Sequence, residues 1–228
     1  MPALIKLAND RDWIGLASAL GSIAKPLPQS QRAELFVRSV VSGDTKLLAK
    51  IMSLGISPNA VWNTYTPLTT ACELLDAKVI RWLLKQGADV RKKGYDQATG
   101  LIAIAKLGLE WDDATLREEG VRIARFLLKF GCPVNARDVV GRTALDYAFE
   151  SNWLALTKLL VRSGAKLRYC EDGGAMAGFY MVRMSGTSDA CAQYLKAGGK
   201  PTHIVTEDLT VLDWAQKCGR HDLVQMLT

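Results

Sequence analysis

One short pattern recurs along this chain of 228 residues and constrains its fold more than any other feature. In each copy, a glycine follows two adjacent bulky residues, which stand four and three positions before it. The five glycines are Gly55, Gly87, Gly131, Gly164 and Gly198, separated by 32, 44, 33 and 34 residues. A period of about 33 residues is typical of chains in which one supersecondary unit is copied and stacked.

The clearest copy runs from Thr66 to Val90 and predicts two short helices joined by a turn. Each half carries a stripe of apolar residues spaced by three and four positions, the pattern of a helix with one buried face. The stripes are Leu68, Ala71, Cys72 and Leu75, then Val79, Ile80, Leu83 and Leu84. Thr66 and Pro67 suit a helix start, and Gly87 suits a left-handed helix end. Because two helices this short bury too little surface to fold alone, we expect the units to stack.

A second signal, a threonine followed two residues later by leucine, marks the start of several units. It occurs at Thr66, Thr99, Thr143 and Thr210. The step from Thr99 to Thr143 is 44 residues, eleven more than the step of 33 from Thr66 to Thr99. The step from Gly87 to Gly131 is also 44 residues, so the start signals and the end signals show the same surplus. This places an insertion at about residues 108–120, between the two helices of the third unit. The inserted sequence GLEWDDATLREEG is rich in acids, and we expect a charged, solvated segment there.

These features resemble the ankyrin-repeat family over residues 29–228. The likeness is strongest in TPLTTA with LLKQGADV and in DVVGRTALDYA. The histidine usual in the family's start motif is absent, but threonine and aspartate can also bond to a backbone N–H. The residues in its place are Thr69, Ile102, Asp146 and Asp213.

The resemblance implies an all-α fold, an ankyrin-repeat solenoid of about five to six helix-turn-helix repeats. In that family, loops between the repeats project as fingers, and capping helices close both ends of the stack. Residues 1–28 are then expected to form an N-terminal helical cap, and residues 29–228 the repeat array.

Composition narrows the class of protein further. The formal net charge is +6, although residues 110–119 hold five acids and one base, so the rest of the chain carries +10. No stretch is apolar for long enough to predict a membrane-spanning helix, and the N-terminus lacks the pattern of an export signal. The five cysteines are scattered and odd in number, which predicts reduced thiols that fill small gaps in a cytoplasmic protein.

The sequence shows no pattern of a catalytic, cofactor or metal site. Its two histidines are His203 and His221, and neither C-x-x-C, H-E-x-x-H nor a phosphate-binding loop occurs. The paired acids Asp112 and Asp113 could in principle serve acid–base chemistry, but they lie in the charged insertion, which we expect to be solvated. We therefore expect a protein that is not an enzyme and that holds no cofactor.

The finger loops and the insertion hold the residues expected to bind a partner, since exposed Trp and Tyr are typical interface anchors. The candidates are Trp62, Asn63, Tyr65, Tyr95, Asp96, Trp111, Asp112, Asp113, Val140 and Arg142. Structural alternatives stay open for three of these places. Trp62 can fold back onto the neighbouring unit, Val139 and Val140 can form a buried hairpin staple, and Trp111 can pack against its own repeat.

The family resemblance implies a protein-protein interaction module, acting as an adaptor or as a stoichiometric inhibitor. One alternative is a bacterial immunity-type protein that neutralises a cognate toxin or effector enzyme. A second is a nucleic-acid-binding adaptor that uses the basic surface, for which Arg91, Lys92 and Lys93 are the candidates. A protein partner is favoured over nucleic acid or a membrane, and the free chain is expected to be monomeric.

Overall fold

The computed structural model describes residues 2–22, 27–110, 112–167, 176–185, 187–206 and 209–228, and the chain is mostly helical. The α-helices in these ranges are α1 (Pro2–Asn9), α2 (Trp13–Ala19), α3 (Gln29–Ser39), α4 (Thr45–Met52), α5 (Pro67–Glu73), α6 (Ala77–Lys85), α7 (Gly100–Glu110), α8 (Ala114–Lys129), α9 (Ala144–Glu150), α10 (Leu154–Arg162), α11 (Met176–Tyr180), α12 (Ser188–Lys196), α13 (Val211–Lys217) and α14 (His221–Leu227). Two short antiparallel strands, β1 (Ile204–Thr206) and β2 (Leu209–Thr210), precede α13.

Helices of odd number pack in one row, and helices of even number pack in a second row beside it. In the first row, α1 contacts α3, and the same relation continues through α5, α7, α9, α11 and α13. In the second row, α2 contacts α4 and α4 contacts α6. Further along this row, α8 contacts α10, α10 contacts α12, and α12 contacts α14. The buried apolar residues form one core cluster that extends from Leu4 to Leu227. We number the pairs from α3/α4, which is unit one, so that α5/α6 is unit two and α7/α8 is unit three.

Unit two confirms the helix pair predicted for Thr66–Val90. The hydroxyl of Thr66 accepts a hydrogen bond from the backbone N–H of Thr69, and the Thr66 N–H donates to Thr69 Oγ1 in return. Pro67 occupies the first helical position, where its missing N–H costs nothing. All eight residues of the two predicted stripes are buried.

The predicted glycine positions are also confirmed as helix ends. All five take a left-handed backbone, with φ between +80° and +92°. The aspartates that stand in the histidine position bond as expected, since the N–H of Thr143 donates to Asp146 and that of Thr210 to Asp213. Ile102 has no such group, and the buried hydroxyl of Thr99 has no nitrogen or oxygen partner in the described part of the chain.

The insertion in unit three lengthens two helices instead of the connection between them, which corrects its expected place, while most of its described residues are exposed, as expected of a charged, solvated segment. α7 has eleven residues against seven in α5 and α9, and α8 has sixteen against nine in α6 and α10. The connection between the two helices is three residues long in both unit two and unit three. The four residues gained by α7 and the seven gained by α8 together equal the surplus of eleven.

Tertiary contacts hold this helical extension against unit four. Gly108 and Gly120 lie so close to the Trp153 ring that an added Cβ would approach it to 2.8 Å and 2.5 Å. The guanidinium of Arg117 donates to the carbonyl oxygens of Gly108 and Ser151, at 3.2 Å and 3.1 Å. These contacts explain why a stretch rich in acids continues as helix.

Smaller departures concern the C-terminal part of the chain. α11 is five residues long and runs into a π-helical turn at Met181–Ser185. Cys72, Cys132 and Cys191 are buried as expected, whereas Cys218 is exposed at the end of α13, so it does not fill a gap in the core. The fifth cysteine, Cys170, lies outside the described residues. Every helix in the described ranges is too short or too polar to cross a lipid bilayer.

Candidate functional site

Three loops between successive units form the fingers, which we define as finger one (residues 61–65), finger two (94–98) and finger three (138–142). Each is closed by backbone hydrogen bonds. In finger one, Trp62 and Tyr65 exchange two of them, at 3.0 Å and 2.9 Å. The two residues between them, Asn63 and Thr64, both have positive φ, the geometry of a two-residue hairpin turn. The N–H groups of Gly94 and Asp138 close the other two fingers.

The three fingers contact one another and form a continuous row. The rings of Tyr65 and Tyr95 stack with centroids 5.3 Å apart and planes 6° from parallel, which joins fingers one and two. The N–H of Val139 donates to the carbonyl oxygen of Asp96 at 2.8 Å, which joins fingers two and three. We call this arrangement the finger row.

Apolar side chains of the finger row face solvent. Tyr95 is 51% exposed, Val139 65% and Val140 68%. Finger one adds Val61, which is also exposed. The two valines therefore do not form the buried staple that was the alternative interpretation.

A buried carboxylate holds finger three in place. Asp138 accepts hydrogen bonds from the N–H groups of Val140 and Arg142 and, at 2.6 Å, from the Tyr147 hydroxyl. The Lys106 ammonium lies 3.5 Å from this carboxylate and 3.3 Å from that of Asp96. Burial, together with the neighbouring Asp138 carboxylate, raises the pKa of Tyr147 well above its ordinary value, so Tyr147 stays a hydrogen-bond donor.

Two of the candidate anchors are engaged within the chain itself. The guanidinium of Arg142 pairs with Glu150 and lies 4.2 Å from the centre of the Tyr147 ring. Trp62 is partly buried under Arg38, whose guanidinium lies 4.2 Å from the ring centre. Trp62 thus packs against α3 of the preceding unit, while Asn63 at the loop tip is exposed.

The acidic candidates of the insertion lie apart from the finger row, at the start of α8. Asp113 is the N-cap of this helix and accepts from the N–H of Leu116 at 3.0 Å. Asp112 is exposed and lies 3.3 Å from the Arg117 guanidinium. The partners of both aspartates, Arg117 and Leu116, thus belong to α8, and Trp111 falls outside the described residues.

Three charged residues beside the finger row were missed in the sequence. Glu73, Lys106 and Glu150 lie on the first helices of units two, three and four. A signal for them existed, because each stands seven residues after the start threonine of its unit. Lys106 bonds to finger two, and Glu150 accepts a hydrogen bond from the Tyr180 hydroxyl at 2.8 Å.

The basic cluster is largely used within the chain. The ammonium of Lys92 donates to the Asn59 carbonyl oxygen and that of Lys93 to the Arg137 carbonyl oxygen, each at 2.8 Å. Arg91 is exposed. Within the part of the chain that the structure describes, no three His, Cys, Asp or Glu side chains converge as a metal site would require.

No protein-family model matches the chain. Curated relatives carry the name "Ankyrin repeat, SAM and basic leucine zipper domain-containing protein 1". That of Echinops telfairi is 29% identical over 104 residues, 44% of this chain and 22% of the relative. That of Loxodonta africana is 31% identical over 85 residues, 36% and 18% of the two chains. The chain thus spans about a fifth of the length of these relatives, and the partial similarity points to ankyrin-like repeats.

Proposed function

We propose that this chain is an ankyrin-repeat solenoid that binds another protein through its finger row and catalyses no reaction. The stacked helix pairs, the left-handed glycines and the threonine helix starts support the repeat assignment. The names of the partial relatives support it independently.

The exposed apolar surface of the finger row carries the proposal. Tyr95 on finger two and Val139 and Val140 on finger three are each at least half exposed, and hydrogen bonds and ring stacking hold these fingers in the finger row. Contiguous apolar surface on fixed loops is typical of protein interaction sites, because it is buried on binding at little cost in conformational entropy. A partner that covers these loops gains apolar burial that the free chain lacks.

Differential capture from a lysate of the source cells tests this proposal. The immobilised proteins are the wild type, the double variant Val139→Ser Val140→Ser, and Ile14→Ser as a matched control. Ile14 is 87% exposed on α2, remote in the chain from the fingers. We expect one protein to be retained by the wild type and the control and lost with the double variant.

The captured protein then distinguishes the two modes of action. An inhibitor forms an equimolar complex that abolishes an activity of its partner, whereas an adaptor leaves that activity intact and retains a second protein. If the double variant captures the same proteins as the wild type, the finger row is not the binding surface and the proposal is wrong.

A further inference from the structure

Aromatic rings beside the fingers are paired with cations of the chain itself. Arg38 lies over Trp62, and Arg142 lies over Tyr147, each at 4.2 Å from the ring centre. A guanidinium over an aromatic face is attracted by the negative charge density of the ring. Cation–π pairs are thus a recurrent feature of this side of the molecule.

The stacked pair of Tyr65 and Tyr95 differs from these rings. No Lys or Arg in the described ranges lies over either ring. The neighbours of Tyr65 are acidic instead. Burial and, after it, the nearby Glu73 carboxylate raise the pKa of the Tyr65 phenol, with Asp96 contributing in the same direction.

Glu73 is one of the described carboxylates that form no ion pair. It is partly buried at the end of α5 and makes no hydrogen bond or ion pair with any residue that the structure describes. Lys106 is near, but its ammonium is bonded to Asp96 and Asp138. Burial raises the pKa of Glu73, and repulsion from Asp96 and Glu110 adds to the effect against the attraction of Lys106.

We propose that this surface, the acidic tyrosine patch formed by Tyr65, Glu73, Tyr95 and Asp96, binds an arginine side chain of the partner protein. The inference rests on the proposed function and names the chemistry that the finger row recognises. A guanidinium fits both halves of the patch, because it stacks on aromatic rings and donates paired hydrogen bonds to a carboxylate. Its charge would compensate Glu73, which forms no ion pair in the described part of the free chain and is attracted only partly by Lys106.

A displayed library of random 12-residue peptides tests the inference. The library is selected on the wild type, on Glu73→Gln, and on Glu118→Gln as a matched control. Glu118 is an exposed acid on α8, and Glu73→Gln keeps the size of the side chain while removing its charge. We expect peptides selected on the wild type and the control to be enriched several-fold in arginine, and those selected on Glu73→Gln to lose the enrichment.

An enriched peptide is then synthesised with arginine and with citrulline, its neutral isostere. We expect citrulline to weaken binding to the wild type about tenfold, a loss of about 1.4 kcal/mol, and to change binding to Glu73→Gln little. Circular dichroism of both variants checks that they fold. An equal citrulline effect on both proteins would place the arginine elsewhere and overturn the inference.

Two further outcomes separate this inference from the proposed function. Peptides that show no excess of arginine, yet lose binding in the Val139→Ser Val140→Ser variant, would overturn the inference and leave the finger row as the binding surface. Peptides that show no excess of arginine and bind this double variant as well as the wild type would contradict both proposals. Failure to enrich any peptide would also count against the acidic tyrosine patch.

Discussion

Units two and three follow one plan and differ at one end. Both begin at a threonine, both place their apolar residues in the continuous core, and both end at a glycine with positive φ, Gly87 and Gly131. The extra residues of unit three lengthen the end of α7 and the start of α8. These ends meet at the connection between the two helices. Each finger lies at the opposite side of the unit, between the second helix of one unit and the first helix of the next. Unit three thus keeps its finger contacts while its far end gains a new acidic surface.

The comparison separates two demands on a repeat. The finger end must match its neighbours, because Tyr95 stacks on Tyr65 and Asp96 accepts from Val139. The far end is held by a few contacts with unit four, which Arg117 and the Trp153 ring supply, and it takes no part in the finger row. Variation in length is therefore tolerated at the end that does not take part in the finger row.

The largest expected effect tests whether the two units share an equally tight core. Leu83 in α6 and Leu127 in α8 are both fully buried. Replacing either with alanine removes three buried carbon atoms and leaves a cavity, so we expect each variant to lose about 3 kcal/mol of unfolding free energy. Urea denaturation measures both losses. A much smaller loss for Leu127→Ala would show that the lengthened unit is loosely packed.

A smaller effect is expected at the support of the extension. Arg117→Met leaves the carbonyl oxygens of Gly108 and Ser151 without their donor, and we expect a loss of about 1–2 kcal/mol. Arg122→Met is the matched control, since Arg122 is mostly exposed and pairs with Glu119 at the surface. Its loss is expected to stay below about 0.5 kcal/mol. Equal losses in thermal unfolding would contradict the role given to Arg117.

The helix starts of the two units provide a third contrast. Thr66→Val removes the hydroxyl that caps α5, and we expect it to cost about 1 kcal/mol. Thr99→Val removes a buried hydroxyl without a nitrogen or oxygen partner in the described ranges, so we expect a change within about 0.5 kcal/mol. Chemical denaturation of the two variants compares them directly. A clear loss for Thr99→Val would show that its hydroxyl stabilises the fold, at the start of α7 or through the neighbouring Cys132 thiol.

The smallest effect concerns Glu73 of unit two. Two residues of unit three influence its pKa, since Lys106 lowers it and Glu110 raises it. Its pKa is raised in the folded chain, mainly by burial, so the folded chain binds this proton more tightly than the unfolded chain. The stability contributed by Glu73 is therefore lost as pH rises from its unfolded pKa through its folded pKa.

We accordingly expect Glu73→Gln to raise the melting temperature more at about pH 7 than at about pH 4. Scanning calorimetry at both pH values measures the difference. Glu118→Gln, at an exposed acid, is expected to show no such trend. A shift of the same size at both pH values would mean that the Glu73 charge is not destabilising.

Local chemistry made much of the fold predictable. The boundaries of unit two followed from Thr66, Pro67 and Gly87, whose effects act within a few residues of their positions. The insertion was predictable in place and length from the spacing of two signals. Its helical form was not, because it depends on contacts such as that between Arg117 and the Ser151 carbonyl, which are 34 residues apart.

The candidate site was predictable in part for the same reason. Spacing located the finger residues, but the stacking of Tyr65 on Tyr95 brings together residues of two different units. Arg142 was expected to be available to a partner, whereas the fold pairs it with Glu150. Glu73 escaped notice because a charged residue at the end of a short helix is common on any surface.

The lengths gained by α7 and α8 have a consequence for how such a chain can change. An α-helix completes a turn in about 3.6 residues, so four extra residues are roughly one turn and seven roughly two. Whole turns return each later side chain to nearly its former angle around the helix axis. A gain of two residues would instead have left the connection about 200° around the helix axis from its former position. Growth by whole turns lets one unit lengthen while the residues of its neighbours stay as they were.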